Sequence, residues 1–340
     1  MEEINVEELD RILQEMVDED KFSGVALVHR GGEIVFEKAY GLACKTFDVA
    51  NNIDTKFNIG SLNKLITKTA ILQLLQRGLL DLEDLVGKHL PDFPKEIAEK
   101  VKIRHLITFT SGMGDYFNER FPSVIGQLRK LDDFVDLFIE DPLLFEPGEK
   151  QHYSNAGYVV LGKIIESVSG MDYYDYIREN LYRPAGMDDS DHYELDVPVP
   201  NRAVGYTRNS DCCSSDSGER RANHYIIGTR GSPAGGGYST ARDLMRFDLV
   251  IDNALLLDEE HSKRVMRPLD APDSKPKIAV MAGGAPGLCA LYFKFFEKGY
   301  SVFILSNYDP EDVEPLVEPI RAIFIPEGEK GKIVTVRDDE

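Results

Sequence analysis

The chain has 340 residues with an ordinary globular composition, 42% hydrophobic and 29% charged, and its formal net charge is −20 at pH 7. This length is enough for two domains or for one elaborated domain. The negative charge repels polyanions and therefore argues against nucleic acid or an anionic membrane surface as a partner. No apolar run approaches the roughly 18 residues of a membrane span.

The first segment, MEEINVEELDRILQEMVDEDKF, is acidic and has apolar residues at helical spacing, which predicts an amphipathic surface helix. It has neither the basic nor the apolar part of an export signal. The cysteines show no C-x-x-C spacing, which is typical of reduced thiols: they are Cys44, Cys212, Cys213 and Cys289. We therefore predict a cytoplasmic protein, the alternative being an exported protein whose signal has been removed.

Two β-hairpins are predicted, one near each end of the chain. The run FSGVALVHRGGEIVFEKAYG turns at Gly31-Gly32, and GLCALYFKFFEKGYSVFILSN turns at Lys298-Gly299. Hairpins at opposite ends of a chain indicate one antiparallel sheet to which both ends contribute.

Helical periods occupy most of the chain between the hairpins, over residues 62–77, 125–140 and 156–168. This order predicts an α+β chain with a sheet region and a helical region. A cleft between two such regions commonly holds a ligand.

Two segments allow alternative interpretations. Residues 201–235 are rich in Ser, Asn, Asp, Gly and Arg and form a long loop, which is either a lid or an unstructured connection. The tail has a short apolar run at 333–336, which either adds an edge strand or stays mobile.

Ser61 and Lys64 are separated by one helical turn, in the sequence GSLNK. Residues at i and i+3 share a helix face, so the amine could take the proton of the hydroxyl. The helix that follows is apolar almost all round and should be buried, which lowers the pKa of a lysine. Gly60 permits close approach of the backbone, and the helix dipole favours an oxyanion at Ser61. The alternative is a Ser61 N-cap with a solvated lysine.

Tyr153 and Asn155 stand just before the third helical period. A tyrosine near a lysine ammonium has a lowered pKa and can act as a general base or acid, while the Asn155 amide can bridge to the lysine or to a substrate carbonyl. The alternative is that Ser154 or Asn155 only caps the helix.

Together with the stretches VKIRHLITFTSGMGDYF, LYRPAGMDDS, GGGYSTARDLMRF and GGAPGLCALYFKFFEKGYSVFILSNYD, these motifs resemble the serine β-lactamase and penicillin-binding-protein superfamily, especially its class C β-lactamase-like esterase and peptidase branch. The resemblance covers residues 8–323. It implies a β-lactamase/transpeptidase-like α+β fold. We assign the sheet region to about 20–60 and 235–323, the helical region to about 61–200, and a C-terminal tail to 324–340.

The resemblance also implies acyl transfer through a serine ester. Ser61 attacks a carbonyl, Lys64 and Tyr153 move the proton, and Asn155 orients the lysine or the substrate. The backbone amides of Ser61 and Gly284 would form the oxyanion hole, and water would release the acyl group. The expected partner is a small-molecule ester or amide; no metal or organic cofactor is implied, and a homo-oligomer is compatible with the sequence.

Two positions depart from the pattern of the superfamily. Its third motif, Lys-Thr-Gly or His-x-Gly, aligns with Met281-Ala282-Gly283, and Met281 brings no charge to the substrate site. Because burying a substrate carboxylate without a cation is costly, we rank an esterase above a D-amino-acid peptidase and above a β-lactamase. Phe109 replaces a usual histidine, and we predict that it serves packing. The competing hypothesis is a binding or scaffold protein that keeps the fold with an impaired site.

Overall fold

The chain forms the long strands of its sheet near both ends and most of its helices between them. The computed structural model describes residues 4–209, 218–325 and 333–336. The strands are β1 (Gly24–Arg30), β2 (Glu33–Tyr40), β3 (Leu42–Cys44), β4 (Val49–Ala50), β5 (Phe57–Asn58), β6 (Tyr206–Thr207), β7 (Arg221–Ala222), β8 (Tyr238–Ser239), β9 (Ile278–Ala285), β10 (Leu288–Phe295), β11 (Tyr300–Ser306) and β12 (Ile333–Val336). The α-helices are α1 (Val6–Asp18), α2 (Asn63–Gln76), α3 (Val86–His89), α4 (Lys95–Ala98), α5 (Ile103–Ile107), α6 (Phe121–Val124), α7 (Leu131–Val135), α8 (Asn155–Ser169), α9 (Tyr173–Ile177), α10 (Arg183–Ala185), α11 (Ala241–Asp252), α12 (Glu259–Met266), α13 (Pro310–Val313) and α14 (Val317–Phe324).

The two terminal hairpins meet in one sheet of order β12-β9-β10-β11-β1-β2. β1 and β11 join them, with Gly24 opposite Ser306 and Arg30 opposite Tyr300. The single sheet with strands from both ends, and the edge strand in the tail, are confirmed. One detail differs: β12 runs parallel to β9. The helices between β11 and β12 return the chain to the end of the sheet where β11 began, so β12 takes the direction of β11 and β9.

The inner strands β1, β10 and β11 are buried on both faces of the sheet. Val25 and Leu27 belong to the apolar layer beneath the helical region, whereas their neighbours Ala26 and Val28 face the layer formed with α1 and α14. Successive residues of a strand point to opposite faces, so a strand covered on both sides is apolar throughout. This explains the unbroken apolar run of β1 and holds the sheet as a rigid base for the site.

Two of the predicted middle helices are present, as α2 and α8. α2 is buried nearly all round, and Ile66, Ala70 and Leu74 are at most 1% exposed. α8 begins at Asn155, and the Ser154 hydroxyl caps it by accepting a hydrogen bond from the backbone N–H of Gly157 at 3.0 Å. These two helices support the residues of the site.

The prediction of one helix over 125–140 is wrong. The structure has a 3-10 turn (Ile125–Gln127) and then the short helix α7. The Asp133 carboxylate accepts hydrogen bonds from the backbone N–H groups of Arg129 and Lys130, both at 2.8 Å. A carboxylate that binds the N–H groups ahead of a helix begins a new helix there and so interrupts the helical period.

The loop segment 201–235 has structure where it is described. β6 and β7 pair within it, with Tyr206 opposite Ala222. The predicted loop residues Cys212 and Cys213 lie outside the described residues. The described part of this segment is therefore a folded connection rather than a structureless one.

The described ranges contain Cys44 and Cys289 as thiols outside any disulfide. Within the same ranges, no helix is both long and apolar enough to cross a membrane. No group of three or more His, Cys, Asp or Glu side chains is placed to hold a metal ion in this part of the chain.

His192 gives the fold an acid-sensitive element. It is 1% exposed, and its pKa is lowered from 6.5 to about 3, mainly by burial. The charge of Asp191 opposes this lowering of the pKa, and the charge of Arg230 adds to it. Between about pH 6.5 and pH 3, His192 is therefore protonated in the unfolded chain but neutral in the folded chain. The free energy of unfolding consequently falls as the pH is lowered from 6.5 to about 3.

Between about pH 7 and pH 5 we expect wild type to lose about 2 kcal/mol more unfolding free energy than His192→Gln. Urea unfolding at both pH values measures this, and equal losses would contradict it.

Candidate active site

Two glycines bring the turn that carries Ser61 against strand β9. Ser61 lies in a 3-10 turn (Gly60–Leu62) directly before α2. A Cβ on Gly60 would lie 2.8 Å from the carbonyl carbon of Gly283, and a Cβ on Gly283 would lie 2.6 Å from the Ser61 nitrogen. Gly60 also has φ of +49°, a conformation that favours glycine. Larger residues at either position would push Ser61 away from the strand.

Ser61, Lys64 and Tyr153 form a closed triangle of hydrogen bonds. The Lys64 Nζ lies 3.1 Å from Ser61 Oγ, and Ser61 Oγ lies 2.7 Å from the Tyr153 hydroxyl. The Lys64 Nζ is also within hydrogen-bonding distance of the Tyr153 hydroxyl. Ser61 does not act as a side-chain cap of α2. The serine hydroxyl therefore has two candidate proton acceptors within hydrogen-bonding distance.

Lys64 is held by further oxygen atoms on both sides. Its Nζ donates to Asn155 Oδ1 and to the backbone carbonyl of Ala234, each at 2.7 Å. Lys64 is 6% exposed, so these acceptors replace water around the amine. The carbonyl of Ala234 was not predicted from the sequence, because any residue type can supply a backbone carbonyl.

Asp115 is a second residue that the sequence analysis did not single out. Its Oδ2 accepts hydrogen bonds from the backbone N–H of Asn155 at 3.1 Å and from the Asn155 Nδ2 at 2.8 Å. Its Oδ1 accepts from the backbone N–H of Phe117 at 3.1 Å. A carboxylate that accepts from the amide nitrogen leaves the amide oxygen of Asn155 facing Lys64. The SGMGDY stretch contains Asp115, but nothing in its spacing indicates this contact.

Phe109 packs against the tyrosine of the triangle, which confirms its predicted packing role. Its ring lies 4.8 Å from the ring of Tyr153 and 5.5 Å from that of Tyr158, measured between centroids. Its φ is +58°, which is unusual for a bulky side chain, and its carbonyl accepts a hydrogen bond from the backbone N–H of His152 at 2.7 Å. Both contacts hold the chain beside Tyr153 in place.

The predicted residues of strand β9 fall into two groups. Gly284 lines the cavity in front of Ser61, and its backbone nitrogen lies 2.9 Å from the position a Gly60 Cβ would take. The amides of Ser61 and Gly284 are thus neighbours. Met281 is 3% exposed, lies in the apolar layer beneath the helical region, and is not among the residues that line the cavity.

A cavity of about 370 Å³ opens beside the triangle, and Ser61, Tyr153 and Asn155 lie in its wall. Apolar and aromatic side chains form much of the remaining surface. They are Tyr116, Phe117, Phe121, Phe134, Leu195, Ile226, Ile227 and Leu288. Part of the predicted loop 201–235 therefore borders the cavity. The whole arrangement can bind a carbonyl compound next to a serine hydroxyl that has proton acceptors behind it.

Comparisons with known proteins identify the family and the fold. The sequence model of the beta-lactamase family matches residues 9–316. Penicillin-binding protein 4* of Bacillus subtilis (strain 168) is 29% identical in an alignment 332 positions long, which covers 90% of this chain and 72% of that protein. The structure of a penicillin-binding protein from Bacillus halodurans is 30% identical with a TM-score of 0.79, covering 91% of this chain and 98% of that one. An octameric penicillin-binding protein homologue from Pyrococcus abyssi, 23% identical over 93% of this chain and 78% of that one, has the same fold with a TM-score of 0.79.

Asp115 is expected to act as a positioning residue. In Asp115→Asn the oxygen of the new amide can still accept from the backbone N–H of Phe117. Its NH2 group then faces the N–H groups of Asn155, which are donors too and cannot accept from it. The Asn155 amide can therefore rotate and turn its nitrogen toward Lys64. Losing one charge-assisted hydrogen bond of about 1.5–3 kcal/mol corresponds to a roughly ten- to hundredfold lower kcat. Ester hydrolysis across a pH series measures kcat and any shift in its pH profile.

Asp81→Asn is the matched control, because the Asp81 carboxylate likewise accepts from the backbone N–H two residues on, at 2.8 Å, on the exposed surface. If both variants keep wild-type kcat and pH profile, Asp115 does not position Asn155.

Proposed function

Because the chain belongs to the beta-lactamase family of serine hydrolases, we propose that it hydrolyses an ester or a small amide through an acyl-enzyme on Ser61, with esters preferred. The observation that carries the proposal is the triangle of Ser61, Lys64 and Tyr153 at the wall of an open cavity. A serine needs an adjacent base to become a nucleophile, and here two candidate bases touch its oxygen.

The proposed reaction has two halves. Ser61 Oγ bonds to the substrate carbonyl carbon while its proton passes to the pair formed by Tyr153 and Lys64, and the same pair returns the proton to the leaving oxygen or nitrogen as that bond breaks. The amides of Ser61 and Gly284 stabilise the negative carbonyl oxygen. Water then repeats the two steps on the acyl-enzyme, and the acid is released. Asn155 keeps the lysine oriented throughout.

The charges around the cavity support an ester rather than a substrate with a carboxylate. Met281, at the strand position where similar sequences carry a cation, is neutral and buried outside the cavity lining, so this position supplies no charge there. Arg230 is the charged side chain among the described residues that line the cavity, and it donates to the backbone carbonyls of His192 and Arg129 at 3.1 and 3.4 Å. A substrate carboxylate would have to share this guanidinium with the two carbonyls, whereas a neutral ester has no such requirement.

Two properties beyond the reaction are part of the proposal. The Pyrococcus homologue is octameric, which supports a homo-oligomer here as well. The thiols of Cys44 and Cys289, which form no disulfide, support a reducing, cytoplasmic location. Light scattering of the purified protein tests the oligomeric state, and fractionation of cells that make the protein tests the location.

Ser61→Ala is expected to lower ester turnover by roughly 10⁴-fold or more while folding is retained, because the nucleophile is lost and the fold is not. Intact-protein mass spectrometry after treatment with a fluorophosphonate, a p-nitrophenyl ester and a penicillin should show an adduct on wild type only. The reagent that reacts distinguishes ester from β-lactam preference.

Ser123→Ala serves as the control for that experiment, since Ser123 is exposed and only donates to the carbonyl of Arg120. It should keep the adduct. Absence of an adduct from every reagent would overturn the proposal and favour the binding or scaffold protein.

Tyr153→Phe is expected to lower kcat by about 10²–10⁴-fold, because it keeps the ring against Phe109 but removes the hydroxyl between Ser61 and Lys64. Tyr158→Phe is the matched control, since Tyr158 also stacks on Phe109 and its hydroxyl donates only a long bond, 3.4 Å, to the Ile107 carbonyl. Steady-state ester hydrolysis compares the two. Equal rates would show that Tyr153 carries no proton.

A further inference from the structure

The cavity beside Ser61 has an aromatic wall that the proposed reaction does not use. The wall consists of Tyr116, Phe117, Phe121 and Phe134. Their rings contact each other, with centroid distances of 4.5 Å for Tyr116 and Phe117, 4.7 Å for Phe117 and Phe121, and 5.3 Å for Tyr116 and Phe134. Such a cluster offers a continuous apolar surface to a bound molecule.

The wall begins directly beside the catalytic triangle. Asp115, which holds Asn155, immediately precedes Tyr116 and Phe117 in the chain, and its Oδ1 accepts from the backbone N–H of Phe117. The Tyr116 hydroxyl lies 3.1 Å from that of Ser232. The same short segment therefore orients Asn155 and places two aromatic rings next to the site of acylation.

A second apolar stretch also lines the cavity. Ile226 and Ile227 line it, in the loop that continues to Arg230. This loop is tied to the helical region, because the backbone N–H of Thr229 donates to the Ile125 carbonyl at 3.1 Å and that of Arg230 donates to the Leu128 carbonyl at 3.2 Å. The loop is thus fixed to the segment that follows Phe121 and α6.

The one charged side chain in the described lining is held within the protein. The Arg230 guanidinium lies 3.5 Å from the centroid of the Tyr174 ring and 3.8 Å from the Glu194 carboxylate. An anionic chain entering the cavity would lose water and would have to share this guanidinium with the groups that hold it. A neutral apolar chain has no such cost.

Phe117 shows how a bound chain would gain binding energy. Tyr116 and Phe134 are 4% and 2% exposed, whereas Phe117 is 57% exposed although its ring borders the cavity. An exposed ring supported from behind by buried rings can be covered by a ligand at no cost to the core.

We propose that the aromatic wall is an acyl-binding pocket that selects a neutral apolar acyl group, aromatic or unbranched aliphatic, and that Phe117 sets this preference. The inference rests on the proposed function, because the acyl group meant is the one transferred to Ser61. It names the acid half of the substrate and leaves the alcohol half outside the pocket.

Two series of esters test this assignment. In the first, p-nitrophenyl esters are lengthened from acetyl to hexanoyl; in the second, acetate esters carry alcohols of increasing length. Each methylene buried is worth about 0.8 kcal/mol, so kcat/KM should rise about fourfold per methylene in the acyl series and stay nearly level in the alcohol series. An acyl group that ends in a carboxylate should react poorly. A level acyl series, or a rise confined to the alcohol series, would overturn the proposal.

Phe117→Ala should lower kcat/KM about tenfold on the hexanoyl ester, with a loss that grows with acyl length. Phe47→Ala is the matched control, because Phe47 is 79% exposed and does not line the cavity. An equal loss on every acyl length would indicate a general defect and overturn the role of Phe117.

Calorimetric titration of Ser61→Ala with acyl p-nitroanilides of the same lengths separates the pocket from the chemistry. Binding that tightens with acyl length, with no turnover by wild type, would overturn the proposed hydrolysis and leave the apolar pocket standing. Wild-type turnover with binding independent of acyl length would overturn the pocket alone.

Discussion

The site depends on the burial of one amine. Lys64 is 6% exposed, and a lysine removed from water needs an oxygen partner for its N–H groups. The partners come from three separate parts of the chain: Ser61 ahead of α2, Asn155 at the start of α8, and the carbonyl of Ala234. Satisfying this amine therefore brings the helical region and the loop segment together at one point, and that point is where the chemistry is proposed.

The sheet supplies the other constraint, a rigid edge that the nucleophile can approach closely. β9 is paired with β10 along its length, so the position of its amides is set by the ladder. Gly60 and Gly283 let the turn of Ser61 lie against that edge, because a Cβ at either would meet backbone atoms within 3 Å. Oxyanion stabilisation requires donors that are already in place before reaction, and a strand paired along its length provides them.

The triangle and the aromatic wall are two parts of the same site with different proposed roles. The triangle is the centre of the proposed reaction. The wall, with Phe117 at its exposed edge, is built from aromatic side chains beside that centre. One segment contributes to both parts, since Asp115 orients Asn155 and immediately precedes the wall residues Tyr116 and Phe117. A change in this segment can therefore affect both the reaction and the substrate preference.

The sequence alone determined the features that depend on local spacing. The pairing of Ser61 with Lys64 on one helix face follows from a separation of three residues, and the terminal hairpins and α2 follow from apolar periods and glycine turns. The tertiary structure decided the rest: the contacts of Asp115 and Ala234 with the site, the burial of Met281 outside the cavity, the interruption between 125 and 140, and the parallel course of β12. These depend on which distant segments meet, and often on backbone atoms, which every residue carries and no sequence pattern marks.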